Sequence, residues 1–385
     1  MRNPLNSDRF KKLLALGLVF AMASAIAACN KEPAETLDTV AKTGSTDVEQ
    51  SAATTMALET VSTEITATPT PTSSPTPSPT PYLDPEERIV TVSFTGDCTL
   101  TQDSRSGSKK FDNTVKNNMN YCFKNCASLF KSDDMTLINL ENPVTEQTAH
   151  KNNTYIFKMD PKNLEMLTNA GIEAVNIANN HMMDYWEAGL KDTRKNLEAK
   201  GILWSDDTKG AIFTTEKGIK IGMVGLGNDT GANKVKGIIE GLREQGAVII
   251  IASCHFGSEG SYEPNAWQKK VAHALIDNGV DIVVGHHPHR LQPIEKYNGH
   301  YIFYSLSNFC FGGNYSLSDP DSVIIQCDFL MDADGSKCVD YRLRVYPYSQ
   351  TSTRPGNDFC PKPYALDSAD YLRVMGRLKW AQGDE

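Results

Sequence analysis

The sequence predicts an α/β domain carried on a disordered N-terminal stalk, and three observations predict it. From Arg88 onward, short β-rich runs alternate with helical stretches. Before Arg88 the composition is Thr, Ser, Ala, Pro and acidic residues with almost no aromatics, too little apolar surface to offset the entropy of ordering. Metal-type side chains also recur just after the apolar runs, where open α/β sheets place their ligands.

At the start of the chain, Arg2, Arg9, Lys11 and Lys12 precede a 16-residue apolar run, Leu13 to Ala28. A basic start, an apolar run and small residues at its end are the layout of a secretory signal, and the run is short for a membrane span. It closes Ile26-Ala27-Ala28-Cys29, which resembles a bacterial lipoprotein box. Residues 1–29 are therefore expected to be a lipoprotein signal, the alternative being an ordinary cleaved signal. An acylated Cys29 would make the protein extracytoplasmic and lipid-anchored to the cell membrane. Residues 30–87 are the expected linker, and the alternating prolines from Pro69 to Pro81 favour extended polyproline II at about 3.1 Å per residue.

Residues 88–385 form the expected domain. Strands are predicted at Ile89–Thr95, Met135–Leu140, Ile172–Ala178, Ile219–Leu226, Ala247–Ser253, Asp281–Gly285 and Tyr301–Leu306. The clearest helix is Pro264–Asn278, where Trp267, Val271, Ala274 and Leu275 share one face. Pro264 suits its first turn and Gly279 its end. Ser322–Leu330 and Lys337–Tyr346 flank Asp332-Ala333-Asp334-Gly335, which reads as a β-hairpin rather than a calcium loop.

Charge narrows the function. The chain is 40% apolar and 22% charged, enough hydrophobic material for one large domain or two small ones. The part before Arg88 holds 6 basic and 11 acidic side chains, and the part from Arg88 on holds 32 and 36. A near-neutral domain without basic runs has no footprint for a phosphate backbone, so no nucleic-acid partner is expected. Nine cysteines in an exported chain suggest disulfides, but with Cys29 lipidated the remaining eight allow too many connectivities to assign one. Cys122 and Cys126, four apart, are expected on one buried helix face, and most of the others as small buried hydrophobes.

Four strand ends carry the candidate chemistry: Gly96-Asp97, Glu141-Asn142, Asn179-Asn180-His181, and a fourth split between Cys254-His255 and Gly285-His286-His287-Pro288-His289. Singly, each has a bland reading, since an Asp after a strand commonly caps a helix or forms a turn. Together they do not, because five of the eight histidines fall at strand ends. Imidazoles beside carboxylates and an amide suit Zn, Mn or Fe rather than Mg or Ca. His150, His273 and His300 lack this context and read as surface or helix residues. His286 is either a metal neighbour or a turn residue.

This ordered set, with Asn139-Leu140-Glu141-Asn142-Pro143, Asp184-Tyr185, His255-Phe256-Gly257-Ser258-Glu259, Gln268 and Tyr304-Ser305-Leu306-Ser307-Asn308-Phe309, resembles the bacterial capsule-synthesis CapA family. That family is named for poly-γ-glutamate capsule production and is similar in fold to calcineurin-like metallophosphoesterases. The resemblance implies a four-layer αββα sandwich and one or two divalent metal ions. It implies Asp97, Glu141, Asn180, His255, His287 and His289 as metal ligands, with Glu141 bridging. His181 becomes the general acid or an anion-binding group, and Asp184 and Glu259 become supports behind the ligands.

Four positions depart from the pattern. Phosphoesterases have Asp-x-His in the first motif, where this chain has Asp97-Cys98-Thr99, and Glu141 stands in place of an Asp. Trp186 and Ser307 stand where the CapA pattern has Gly. Three functions follow from the resemblance. The first is a part in synthesis, export or attachment of an anionic capsule polymer beside the capsule synthesis machinery, through metal-dependent hydrolysis or transfer at a phosphoester or amide centre. The second is a non-catalytic binder or assembly factor on the same fold, and the third is a cell-surface phosphodiesterase unrelated to capsule.

Overall fold

Alternation along the strands decides the layering. In β1 (Ile89–Thr95), Val90, Val92 and Phe94 face one apolar core while Ser93 and Thr95 turn the other way, the period of two that a pleated strand imposes. The computed structural model describes Asp84 and residues 88–380, all within one compact unit, Thr76–Glu385. The expectations for the signal, Cys29 and, Asp84 apart, the 30–87 linker lie outside the described residues.

After β1 come β2 (Asp97–Thr99), α1 (Lys110–Val115), α2 (Ala127–Phe130), β3 (Met135–Asn139), α3 (Glu165–Ala170), β4 (Ala174–Asn176), α4 (Trp186–Ala199) and β5 (Leu203–Ser205). Then follow β6 (Ala211–Thr214), β7 (Lys220–Leu226), α5 (Ala232–Glu244), β8 (Ile249–His255), α6 (Ala266–Asp277), β9 (Ile282–His286), β10 (Ile294–Tyr297) and β11 (His300–Phe303). The chain closes with β12 (Asn308–Phe311), β13 (Asp321–Met331), β14 (Cys338–Ser349), β15 (Lys362–Pro363) and α7 (Ala369–Leu378).

One seven-stranded sheet runs β15-β14-β13-β1-β3-β4-β5, and a six-stranded sheet runs β10-β11-β9-β8-β7-β6. A two-stranded β12-β2 sheet adds to them. The two large sheets face each other through one core, in which Val92, Phe94 and Leu137 of the first meet Ile221, Ile251 and Val284 of the second. The far face of the first sheet buries Ile138 and Val175 with Leu167 of α3 and Leu197 of α4. The far face of the second buries Ile250 and Ala252 with Val235 and Ile239 of α5 and Val271 and Leu275 of α6. Helix, sheet, sheet, helix is the expected αββα sandwich.

β1, β3, β4 and β5 are parallel, as are β7, β8, β9 and β11, and the candidate side chains sit at the C-terminal ends of these two parallel sets. The hairpin forms as predicted, its turn closed by the Asp332 carboxylate, which accepts from the Ser336 and Lys337 amides at 2.9 and 3.1 Å.

Three local expectations change. Helix α6 is capped by Asn265 in a capping box with Gln268, so Pro264 precedes the helix instead of occupying its first turn. Its buried face is Gln268, Val271, Ala272, Leu275 and Ile276, and Trp267 is 41% exposed. Cys122 and Cys126 are buried but lie in successive turns before α2 rather than on a helix. The eight described cysteines are free thiols, all but Cys338 buried.

Candidate metal centre

Two glycines let the strand ends converge. A Cβ on Gly96 would lie 2.2 Å from the Ser307 carbonyl oxygen, and one on Gly285 would lie 2.0 Å from that of Tyr304, so no larger residue fits. The Asp97 amide then donates to the Ser307 carbonyl at 2.8 Å. Asp97 opens β2, where alternation turns Asp97 and Thr99 to one side and Cys98 to the apolar core on the other.

Asp97 is fully buried and makes four contacts. Its carboxylate accepts from Asn139 Nδ2 at 2.8 Å and from the His287 amide at 3.1 Å. It also stands 3.0 Å from His286 Nδ1 and 3.2 Å from His289 Nδ1. Burial alone would raise this acid, but the imidazoles of His286 and His289 outweigh it and hold the carboxyl well below its usual range. Glu141, one residue past the bridge from Leu140 to Cys98, is as buried but poorer in partners. His255 Nε2 is 3.4 Å and His289 Nε2 3.8 Å from its Oε1. Burial pushes its carboxyl up to about 7.

The imidazoles divide. Burial drives His255 well below its usual value, with His287 and His289 adding to the effect against Asp97. Burial also lowers His287, helped by His289. Burial would lower His289 too, but the Glu141 and Asp97 carboxylates raise it to about 9. His287 and His289 take left-handed backbone angles, φ 93° and 52°, a strained conformation that persists where the surroundings over-determine it.

Asn180 is exposed, with its Oδ1 2.9 Å from His255 Nε2. His181 Nδ1 is 2.9 Å from Asp184 Oδ2, which also accepts from the Phe157 amide at 2.9 Å, and the His181 ring meets that of Phe157 edge-on at 4.6 Å. Burial opposes a charge on His181, but the Asp184 hydrogen bond and the Glu141 charge raise it overall.

Three ligand groups emerge: Asp97, Glu141 and His289; Glu141, His255 and His287; and Glu259, His287 and His289, each with donor atoms within 4.8 Å of one another. Glu141 belongs to the first two. Glu141 Oε1 and His287 Nδ1 are buried with no hydrogen-bond partner, a cost that a bound cation would remove. Carboxylates, imidazoles and an amide fit a divalent ion of the Zn, Mn or Fe kind.

The sequence reading is corrected at Glu259. It does not stand behind the ligands but at the exposed mouth, grouped with His287 and His289. Asp184 stands behind His181, the expected general acid, rather than behind a metal ligand. His286 is resolved as a buried neighbour of Asp97 at the end of β9. Gln268 serves the α6 cap, and its amide reaches Gln292 Oε1 at 2.8 Å. His150, His273 and His300 stand apart from the ligand groups, as expected.

Three amides escaped the sequence reading. Asn139 donates to Asp97, lies 3.2 Å from His255 Nδ1, and accepts from Asn176 and Asn179. Asn228 meets His287 Nε2 at 3.1 Å, and Asn308 meets His289 Nδ1 at 2.8 Å. Asn228 follows β7, so the strand-end rule that found the ligands could have found it. Where the first motif of phosphoesterases has His, Thr99 turns its Oγ1 to Glu141 Oε2 at 3.5 Å.

The sequence model of the family described as "Bacterial capsule synthesis protein PGA_cap" matches residues 91–313. The chain is 30% identical over 314 residues to the "PGA biosynthesis protein CapA" of Bacillus subtilis, covering 75% of this chain and 78% of that protein. It is 28% identical to the "Capsule biosynthesis protein CapA" of Bacillus anthracis, over 54% of this chain and 57% of that one. Among solved structures, a Mycoplasma pneumoniae phosphatase aligns over 67% of this chain and 94% of its own at 16% identity and a TM-score of 0.41. A calcineurin-like phosphoesterase of Bacillus subtilis does so over 67% and 90% at 15% identity, with a TM-score of 0.41. With a family match across most of the sandwich and a relative aligned along three quarters of the sequence, the chain belongs to the bacterial capsule synthesis protein family PGA_cap.

Proposed function

We propose that this chain is a metal-dependent hydrolase or transferase that acts on an anionic capsule polymer of the poly-γ-glutamate type, anchored outside the cell membrane through Cys29. The observation that carries the chemistry is the sharing of Glu141 between two ligand groups. A carboxylate common to two ligand groups could hold a pair of divalent ions together. The capsule assignment is supported by the names of the relatives and of the family.

When bound, such ions supply an activated water and polarise the bond under attack. The protein's own part is positioning and proton transfer. Asp97, Glu141 and the three imidazoles would hold the cations. Asp184 holds His181 by Nδ1 and favours its protonated form, which leaves Nε2 to give a proton to the departing oxygen or nitrogen. The ring of Phe157 packs on His181 and fixes its plane.

The test is elemental analysis of the purified chain beside His287→Ala, followed by turnover of a chromogenic phosphodiester and of poly-γ-glutamate with and without His181→Ala. Bound Zn, Mn or Fe that falls in the first variant, and turnover lost in the second, support the reading. Metal-independent behaviour in both overturns it. A second reading, a polymer-binding factor without turnover, is favoured by Thr99 in place of an imidazole. It predicts that poly-γ-glutamate co-sediments equally with wild type and His181→Ala.

A further inference from the structure

Asp97, Glu141 and His255 are buried so completely that solvent does not reach them. A ligand set so enclosed needs a way in. Of the imidazoles beside them His289 is the most open, its side chain 19% exposed, and next to it stands the exposed Glu259. Glu259, His287 and His289 bring donor atoms within 4.8 Å of one another, and this ligand group, unlike the other two, reaches solvent through its carboxylate. The exposed amide of Asn180 also borders the site, but it carries no charge to draw a cation.

The place of Glu259 is built into its loop. Gly257 has φ 107°, and a Cβ there would meet the Gln268 side chain at 2.5 Å, so the chain turns sharply after β8 where only glycine fits. The Gly260 amide donates to the Pro288 carbonyl at 2.8 Å. Gln292 Nε2 donates to the Ser261 and Glu263 carbonyls at 3.0 and 3.1 Å, and the Tyr262 hydroxyl donates to Asp319 at 2.8 Å. These bonds fasten the loop to the segment that carries His287 and His289. The Glu259 carboxylate itself has no hydrogen bond or ion pair among the described residues. A fixed backbone that holds an unengaged carboxylate beside two imidazoles is cation-ligating chemistry.

His287, only 7% exposed, decides the role. Asn228 takes its Nε2, while its Nδ1 and the Asn228 Oδ1 are both buried without a partner. Turning the Asn228 amide over places that oxygen on an Nε2–H and leaves Nδ1 deprotonated for a cation. His287 belongs both to the outer group with Glu259 and to the buried group with Glu141 and His255, and one nitrogen serves one cation at a time. The outer group is therefore an alternative to the buried one and not an addition to it.

We propose that Glu259, with His287 and His289, is the loading station through which a divalent cation reaches Glu141 and His255. The carboxylate draws the cation to the mouth, and His287 keeps hold of it while Glu141 and His255 replace Glu259. Glu259 is solvated and grips weakly, whereas Glu141 Oε1 is buried and unpartnered and competes with no water. The inference rests on the metal-binding part of the proposed function and not on turnover.

The full chain, stripped of metal with a chelator, is mixed with Zn²⁺ in a stopped-flow instrument while a fluorescent indicator follows the free ion. Release from the loaded chain is followed after excess chelator is added, and the signal counted is the part that His287→Ala abolishes. In Glu259→Gln uptake and release are both expected to slow by about tenfold, the lower end of what a charged mouth does for its counter-ion. The Kd should stay within about twofold of wild type, since a solvated charge outside the final ligand set is screened and a group that acts only on the way in speeds arrival and departure alike. Glu263→Gln, which removes an exposed carboxylate from the same loop, should keep wild-type rates. Equal slowing in Glu263→Gln overturns the proposal, because the effect is then one of surface charge. A raised Kd with faster release overturns it too, because Glu259 is then a lasting ligand. Wild-type uptake with unaltered rates in Glu259→Gln overturns the loading role alone, whereas a wild-type chain that takes up no Zn²⁺ overturns the metal reading and this inference with it.

Discussion

The two sheets bring unlike halves to the site. Past the strand ends of the first come Asp97, Glu141 and Asn180, all oxygen donors, and past those of the second come His255, His287 and His289, all nitrogen donors. The oxygen half is held by a buried amide network, with Asn139 joined to Asp97, Asn176 and Asn179. The nitrogen half is held by backbone strain, with left-handed angles at His287 and His289. The two groups that hold Glu141 draw from both sheets, whereas the loops of the second sheet alone bring Glu259 to His287 and His289. A site built on Glu141 is a seam, formed only when the two sheets pack.

The sharpest way to break that comparison is at Glu141, the one residue common to the two ligand groups that span the sheets. Glu141→Gln is expected to bring bound metal close to zero, whereas Asp97→Asn and His287→Ala each remove one ion of two. Elemental analysis of the three variants side by side checks this. Equal losses in all three would mean a single cation site. Next in size is His181→Ala, which should lower kcat by roughly 10²- to 10⁴-fold with little change in metal content. Asp184→Asn should leave part of that activity and move its pH profile toward acid, because the carboxylate that favours protonated His181 is gone. Asn139→Ala should weaken metal binding by about 10- to 100-fold, the usual effect of losing a residue that orients ligands.

Across the seam, His289 gives the comparison a pH dependence. In the metal-free chain its protonated form is stabilised by Glu141 and Asp97 and persists to about 9, above the ordinary 6.5. A group raised in this way contributes stability in full below about pH 6.5. That contribution is lost as pH rises through the folded value. Cation binding must displace the same proton, so metal affinity should climb between about pH 6.5 and 9 as metal-free stability declines. Urea midpoints of the metal-free chain and metal titrations at matched pH check the opposed slopes. Parallel slopes would exclude His289 as a ligand.

How much of this was legible in the sequence follows the same division. Strand ends are local, so periodicity and apolar runs placed Asp97, Glu141, His255 and the His286–His289 turn where the structure has them. The family resemblance supplied the two-sheet architecture and the roles. Asn139 and Asn308 stood in the quoted motifs but had no chemistry visible there, since their worth lies in contacts between distant segments. Phe157 gave no signal at all, because a phenyl ring 24 residues from His181 becomes its neighbour only through tertiary packing. Glu259 was misplaced for the same reason, its loop turning out to the mouth where Gly260 bonds to the Pro288 carbonyl at 2.8 Å.

The two departures from glycine sharpen the seam most finely. Trp186 and Ser307 both have left-handed φ, 57° and 64°, which is the physical reason the family pattern prefers Gly there. Ser307 lies on the seam itself, its carbonyl accepting the Asp97 amide, and its buried Oγ has no partner. Ser307→Gly relieves the left-handed strain, roughly 1–2 kcal/mol, and deletes an unsatisfied hydroxyl, against the roughly 0.5–1 kcal/mol that glycine loses in chain entropy. A net gain of about 1 kcal/mol is expected, worth about 2–4 °C in the melting midpoint of a domain this large. Trp186→Gly relieves the same angle but gives up the Lys151 ammonium 5.4 Å above its ring, and Trp186 sits half exposed outside the seam. It should gain less and leave metal content untouched. If Ser307→Gly lowers metal content while Trp186→Gly does not, the strain at Ser307 is being used to hold Asp97 in place rather than merely tolerated.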